Sequence, residues 1–584
     1  MAQVNYEEVE TDVLVIGAGG AGMRGAIAAA GHGCRVLVIC KSLLGKAHTV
    51  MAEGGMAAAL ANVAPLDSWK THFADTMKGG KLLGSWRMAE IHAKEAPERV
   101  LELERWGAIF DRTAKGLIHQ RSFGGHTYPR LAHIGDRTGL ELIRSLQDHL
   151  VHQPNVTIHM ESTVTRLLVQ GGRVTGALAY RRSDGQLTVY RAKAVLLASG
   201  GLGKIYRVTS NSWESTGDGS AIAYQAGAIL QDSEMVQFHP TGMVWPPGVR
   251  GILVTEGVRG EGGVLKNSEG ERFMAKYDPE RMELSTRDVV ARSINQEVIE
   301  GRGSPHGGAF LDISHQPADY ILKRLPSMYE QFHKLADIDI TKEPMEVAPT
   351  IHYAMSGVRV APEGGATNLE GLYAAGEVAC GLHGANRLGG NSLSDLLVFG
   401  KRAGDGAATY ATEHSPAIPS AAQIDEAVQY TLAPLTRVEG ENPYTLHAEL
   451  QDVLTRYAPI IREEADLRTG LEKVAELEER AALVGTSSAG GRAFNPGWHA
   501  ALDVQSMVSN ARALFLCAIE RRESRGAHSR RDYPEPSEKL GKVNFVVQQQ
   551  ARAMVLNSIP KEPIPAEYQE IIETKYSQDY QRED

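Results

Sequence analysis

"TDVLVIGAGGAGMRGAIAAAGHGCRVLVIC", residues Thr11 to Cys40, reads as a buried strand, a tight glycine turn, an alanine-rich helix ending near Gly31 and Gly33, and a second buried strand. This β-α-β unit decides the fold. Gly17, Gly19 and Gly22 fit G-x-G-x-x-G, in which the first glycine makes the turn, the second admits a pyrophosphate and the third lets helix pack on strand. The phosphates of a dinucleotide then sit on the helix N-terminus. At the end of strand two the chain departs from the pattern, because "VICKS" offers Cys40, Lys41 and Ser42 where an Asp or Glu normally meets a ribose.

Farther along, "KAVLLASGG" ends at Gly201 and "LEGLYAAGEVACGLHGANRLGGNSL" adds another strand and glycine turn, so a nucleotide fold is revisited after a long insertion. The expectation is an α/β protein with a split, doubly wound domain over 1–242 and 350–414 and an inserted α+β capping domain over 243–349. "EKVAELEERAALV" and "SMVSNARALFLCAIERR" have helical periodicity and predict a helical domain over 415–536. A small C-terminal region, 537–584, begins with the strand-like "VNFVVQQ".

At 584 residues the chain is too long for one core. Its 61 basic and 71 acidic side chains, net −10, give no global positive field for nucleic acid, so an anionic substrate must be met by locally placed Arg and His. The acidic N-terminus does not read as a secretory signal, and no apolar run approaches the roughly 18 to 20 residues of a membrane span. The chain reads as soluble. Cys34, Cys40, Cys380 and Cys517 form no C-x-x-C and indicate neither a disulfide framework nor a cysteine-held metal or cluster.

Seven ordered motifs carry a resemblance: "KAHTVMAEGG", "QFHPTG", "LVTEGVRGEGG", "TRDVVARS", "PTIHYAMSG", "HGANRLGGNSLSDLLVFG" and "ESRGAHSRRDYP". Together they resemble the flavoprotein subunits of succinate dehydrogenases and fumarate reductases, the flavin-bearing component of complex II, over essentially the whole chain. The wider family also holds soluble fumarate reductases and L-aspartate oxidases.

The resemblance implies FAD as cofactor, joined covalently to His48 through its 8α carbon. L-aspartate oxidases lack that histidine. A loop histidine that merely packs is the plain alternative. For the rest of the cofactor the matching positions are Gly17, Gly19, Gly22, Lys41, Ser42, Thr49, Gly55, Asp218 in "TGDG", Glu377, Asn391 and Ser392. For a dicarboxylate, the resemblance implies Arg387 and His352 at one end, His239 and Thr255 at the other, and Phe123 beside them. Each could be structural alone; their clustering in motifs flanking the expected cap favours a cleft.

The proton step implied is an arginine relay, Arg287 at the substrate and then Glu256 and Arg259 towards solvent. "STRDVVARSINQEVIEG" predicts a helix with Ser285 and Asp288 as a capping pair, Val290, Ile294 and Val298 as its buried stripe, and Arg287 in the first turn. A cation there opposes the helix dipole, which favours release of a proton. The competing expectation for Arg287 is a salt bridge with Asp288 or a nearby acid. Val258 stands where many relatives have cysteine, so thiol alkylation there should not inactivate; Glu53 stands where many have glutamine. With no cluster ligands and no span, the resemblance implies two kinds of partner, an iron–sulfur subunit plus membrane anchor subunits that pass electrons to quinone on the cytoplasmic face of a bacterial inner membrane. A soluble reductase needing no partner and a flavin-binding scaffold without turnover are the other readings.

Overall fold

Strand Glu7–Ile16 is paired in parallel on both sides, with Val36–Ile39 (Val13 opposite Val36) and with Leu187–Leu197 (Ile16 opposite Leu197). Burial on both faces explains why these strands read as continuous apolar runs. The computed structural model describes residues 5–437, 439–486 and 491–577. Val156–His159 extends the sheet beyond Val36–Ile39. Leu187–Leu197 divides its other edge: its C-terminal half pairs in parallel with Leu372–Ala374, and its N-terminal half pairs antiparallel with Arg173–Arg181, which continues to Ser162–Gln170. The returning strand thus completes a seven-stranded sheet, while the antiparallel meander is a feature that sequence reading did not separate.

The fingerprint glycines have distinct duties. Gly17 is held at φ +111°, where a Cβ would sit 2.2 Å from the Ala198 carbonyl oxygen, and a Cβ on Gly22 would sit 1.9 Å from the Gly17 oxygen. Helix Gly20–Gly31 is crossed by helix Asn391–Glu413 at close range; a Cβ on Gly404 would lie 2.3 Å from the Gly25 oxygen.

The capping domain is built on a second sheet, antiparallel, in the order Val236–Met243, Met345–Ala354, Ala309–Asp312, Val264–Lys266. Its core gathers Met243, Val254, Leu265, Phe273, Ile294 and Phe332. The positions 242 and 350 fall inside two strands that pair with each other. Helices Pro443–Tyr457, Glu464–Ala481 and Pro496–Glu520 pack through Leu446, Leu450, Val474, Met507 and Phe515. Val543–Gln550 forms a hairpin with Ala553–Pro560 and pairs with Leu230–Gln231, so the C-terminal strands join a sheet begun three hundred residues earlier along the chain. The "ESRGAHSRRDYP" segment follows a buried Arg521 that pairs with Asp232 at 3.0 Å, with Glu234 and with Glu523 at 3.2 Å. Among the described residues no helix is long and apolar enough to cross a membrane.

Candidate active site

A cavity of about 490 Å³ opens at the fingerprint. Gly17, Gly19, Lys41, Ser42, His48 and Thr49 line it from the first β-α-β unit, and Asp218, Glu377 and Ser392 line it from later segments. His352 and Arg387 also reach it. Gly22 and Gly55 act from behind, by letting backbones approach: a Cβ on Gly55 would stand 2.8 Å from the Ala132 oxygen. Asn391 departs from expectation, because its buried amide is turned away, Oδ1 lying 2.9 Å from His72 Nε2 and Nδ2 donating to Thr76 Oγ1 at 3.0 Å. Its side chain instead ties the start of helix Asn391–Glu413 to helix Trp69–Gly79.

The loop after strand two is pinned to the fingerprint, since Gly20 N donates to Thr49 Oγ1 at 3.2 Å. That places the short 3₁₀ turn His48–Met51 at the cavity wall. His48 Nδ1 accepts from Ser212 N at 3.3 Å, and Nε2 lies 3.3 Å from Asn211 Nδ2. Burial, reinforced by Arg387 and Lys204, pushes the His48 pKa down to about 4, so its imidazole is neutral. Glu53 is driven well above the usual carboxylate range by burial, and burial also lifts Glu377 to about 7 while its Oε1 accepts from Ala354 N at 2.9 Å.

Whether the residues fit a large polar cofactor is tested by their unmet hydrogen bonds. Ser199 Oγ, Asn211 Oδ1, Ser212 Oγ, Glu214 Oε1 and Glu53 Oε2 are buried, line the cavity and have no hydrogen-bond partner among the described residues. Buried polar atoms are nearly always paired, so this wall is made for a ligand rich in donors and acceptors.

Beside the cavity the capping domain contributes a charged cluster. Arg287, first residue of helix Arg287–Ile299, places Nε 2.7 Å from Glu256 Oε2. Glu256 Oε1 accepts from Gly124 N at 2.7 Å, across from the nucleotide-binding unit. Burial raises the Glu256 pKa, but Arg287 and Arg259 outweigh it and hold the carboxylate below its usual range. The Ser285–Asp288 capping pair does not form: Thr286 is the N-cap residue, and Asp288 turns to Arg292 at 3.2 Å and Lys81 at 3.9 Å. Arg287 is therefore free to take Glu256 rather than Asp288. On the same helix Val290 and Ile294 are buried and Val298 is half-buried.

Arg259 lies 3.6 Å from Glu256, yet it is fully buried and does not itself reach solvent as its place in the relay suggested. Its Nη1 donates to the Glu283 carbonyl oxygen at 2.5 Å, and the Glu283 carboxylate is held by the half-exposed Arg272. His239 and His352 face each other with ring centroids 5.0 Å apart. His352 Nδ1 meets Ser210 Oγ at 2.8 Å, His239 Nδ1 meets Thr241, and burial, followed by nearby cations, keeps both rings neutral. Thr255 Oγ1 accepts from Gly257 N at 3.2 Å. The Phe123 ring is wedged between two glycines, and a Cβ on Gly54 or Gly389 would strike it at 2.6 or 2.5 Å.

Gln237 was missed by sequence reading. Its amide oxygen is 3.3 Å from both Arg287 Nη1 and Arg387 Nη2, so one neutral acceptor links the two cations. Its place two residues before His239 on one strand was the available signal. Tyr353 was missed too, although it adjoins His352; the Arg387 guanidinium lies 4.3 Å from its ring centroid.

The family profile described as "FAD binding domain" matches residues 12–393, and "Fumarate reductase flavoprotein C-term" matches residues 447–576. The chain is 46% identical over 530 residues to a protein of Methanothermobacter marburgensis named as part of a "Fumarate reductase (CoM/CoB)", covering 91% of this chain and 95% of the relative. It is 40% identical over 559 residues to the "Succinate dehydrogenase flavoprotein subunit" of Coxiella burnetii, covering 90% and 92%. The solved structure "Mycobacterium smegmatis Sdh1 in complex with UQ1" superposes with a TM-score of 0.86 at 52% identity, covering 96% of this chain and 95% of that one. With an FAD-binding domain, a capping domain and a matching C-terminal region in place, the chain belongs to the family of succinate dehydrogenase and fumarate reductase flavoprotein subunits.

Proposed function

We propose that this chain is the catalytic subunit of a succinate dehydrogenase, oxidising succinate to fumarate, with FAD held covalently by His48. The observation that carries the reading is the convergence of Arg287 and Arg387 on Gln237, with Glu256 paired to Arg287, next to His352 and a cavity with His48 in its wall. When bound, FAD supplies the hydride acceptor, whose potential an 8α-histidyl bond raises. Arg387 and His352 hold one carboxylate and His239 and Thr255 the other, which fixes the dicarboxylate for reaction. Arg287 gives its Nε proton to Glu256 Oε2 as it takes the second hydrogen of the substrate as a proton, so the guanidinium is restored, and Arg259 continues the path. The same groups serve the reverse reaction, and the 46% identity to a protein named for fumarate reductase favours that direction as the second reading.

His48 supports the tether because a neutral imidazole keeps one unprotonated ring nitrogen, the nucleophile that a bond to carbon requires. Acid-precipitated protein should stay yellow, and a peptide containing His48 should carry the mass of FAD. An unmodified peptide would remove the tether. His48→Ser should leave FAD reversibly bound and should lower succinate oxidation far more than dye-driven fumarate reduction; equal losses would mean that His48 builds the site.

Onward electron transfer belongs to partner chains, an iron–sulfur subunit plus quinone-reducing membrane anchors, with this chain on the cytoplasmic face of a bacterial inner membrane. The isolated chain should reduce fumarate from an artificial donor but leave quinone untouched. Quinone turnover by the lone chain would instead support the soluble reading.

A further inference from the structure

The missing acid at the end of strand two leaves an open question at the adenosine end of the cofactor site. Of the residues that replace it, Cys40 is turned inward, its thiol donating to the Ser42 oxygen at 3.1 Å, and burial pushes its pKa up to about 12. Lys41 and Ser42 line the cavity. The Lys41 ammonium donates to Thr216 Oγ1 at 3.0 Å, lies 3.5 Å from Asp218 Oδ2, and makes its shortest contact, 2.7 Å, with Asp503 Oδ1.

Asp503 comes from outside the FAD-binding domain. It sits on helix Pro496–Glu520, where Trp498 stacks on Tyr180 at 4.1 Å and His499 Nδ1 meets the Tyr180 hydroxyl at 2.5 Å. That packing anchors the helix against strand Arg173–Arg181. A second cation stands nearby: Arg182 Nε donates to Thr163 Oγ1 at 3.1 Å, its Nη2 is buried with no hydrogen-bond partner among the described residues, and Thr163 lines the cavity. Burial pulls the Lys41 pKa down, but Asp218 and Asp503 more than offset it and leave it raised. Asp503 does not itself line the cavity.

We propose that Asp503 is a positioning residue for the adenosine half of FAD: it holds the Lys41 ammonium where the strand-two acid would otherwise organise the site. The noncovalent affinity for the adenosine half thereby depends on a carboxylate delivered by the C-terminal helical region. The proposal needs only that the chain binds FAD, and stands whether or not succinate is the substrate.

The test is equilibrium binding to the full-length chain carrying His48→Ser, with FAD, ADP and FMN as separate probes. Should wild-type flavin prove removable by acid, the wild-type chain serves unchanged, so failure of the tether and failure of this proposal read out separately. Asp503→Asn should weaken FAD and ADP by about tenfold or more, the scale of a lost charge-assisted bond, and leave FMN within about twofold. Lys41→Met should lose as much, and the double variant no more than Lys41→Met alone. Asp503→Glu, which keeps the carboxylate, should retain most of the affinity. Unchanged ADP binding in Asp503→Asn, equal losses for FMN, additive losses in the double variant, or an Asp503→Glu as weak as Asp503→Asn would each overturn the assignment.

Discussion

Arg287→Lys is expected to cut succinate oxidation and fumarate reduction by at least about a hundredfold, the usual scale for removing a general acid or base, while FAD content is unchanged. Lysine keeps the charge and loses the shape. Arg287 uses two nitrogens at once, Nε to Glu256 at 2.7 Å and Nη1 to Gln237 at 3.3 Å, and a single ammonium cannot occupy both positions. Losses of the same size in both directions are required, because one proton path serves both. Turnover near the wild-type rate, measured with artificial donors and acceptors, would take Arg287 out of the relay.

Arg387→Ala should instead be read first in binding. Among the described residues no carboxylate lies within ion-pair distance of Arg387; its partners are Ser392 Oγ at 2.7 Å, Gln237 Oε1 at 3.3 Å and the face of Tyr353. Burial, with the neighbouring Arg287 next, lowers its pKa to about 9. A buried cation without a counter-ion is a site for an anion. Malonate affinity should therefore fall by about 1.5 to 3 kcal/mol in Arg387→Ala, roughly 10- to 150-fold. The sign of the pH dependence follows: the free site is cationic below its pKa, so wild-type malonate binding should be strongest below about pH 9 and weaken as pH rises through it. Unchanged malonate affinity in the variant would show that another group holds the carboxylate.

Local rules carried the nucleotide-binding unit. Gly17 and Gly22 stand where the fingerprint requires them, and the contacts that a Cβ would make there are the physical content of that motif. Side-chain direction was less legible. Asn391 lies in the right motif but spends its amide on His72 and Thr76, and Asp288 spends its carboxylate on Arg292 and Lys81 instead of capping its helix. Those choices depend on partners distant in the chain. For the same reason Asp503 could not be connected to Lys41 from sequence, since only the docking of helix Pro496–Glu520 on Tyr180 brings them together. The pairing of Val543–Gln550 with Leu230–Gln231 is equally non-local. Periodicity recovers an element and one face of it; it does not name the neighbour.

The central claim, dicarboxylate chemistry at the Arg287–Arg387 cluster, is tested most directly by steady-state assay of the purified, FAD-loaded chain. Succinate would be offered with an artificial electron acceptor and fumarate with a reduced viologen, each with and without malonate. Turnover of both substrates, competitively inhibited by malonate, is the predicted result; a chain that binds FAD stoichiometrically yet turns over neither would contradict the account.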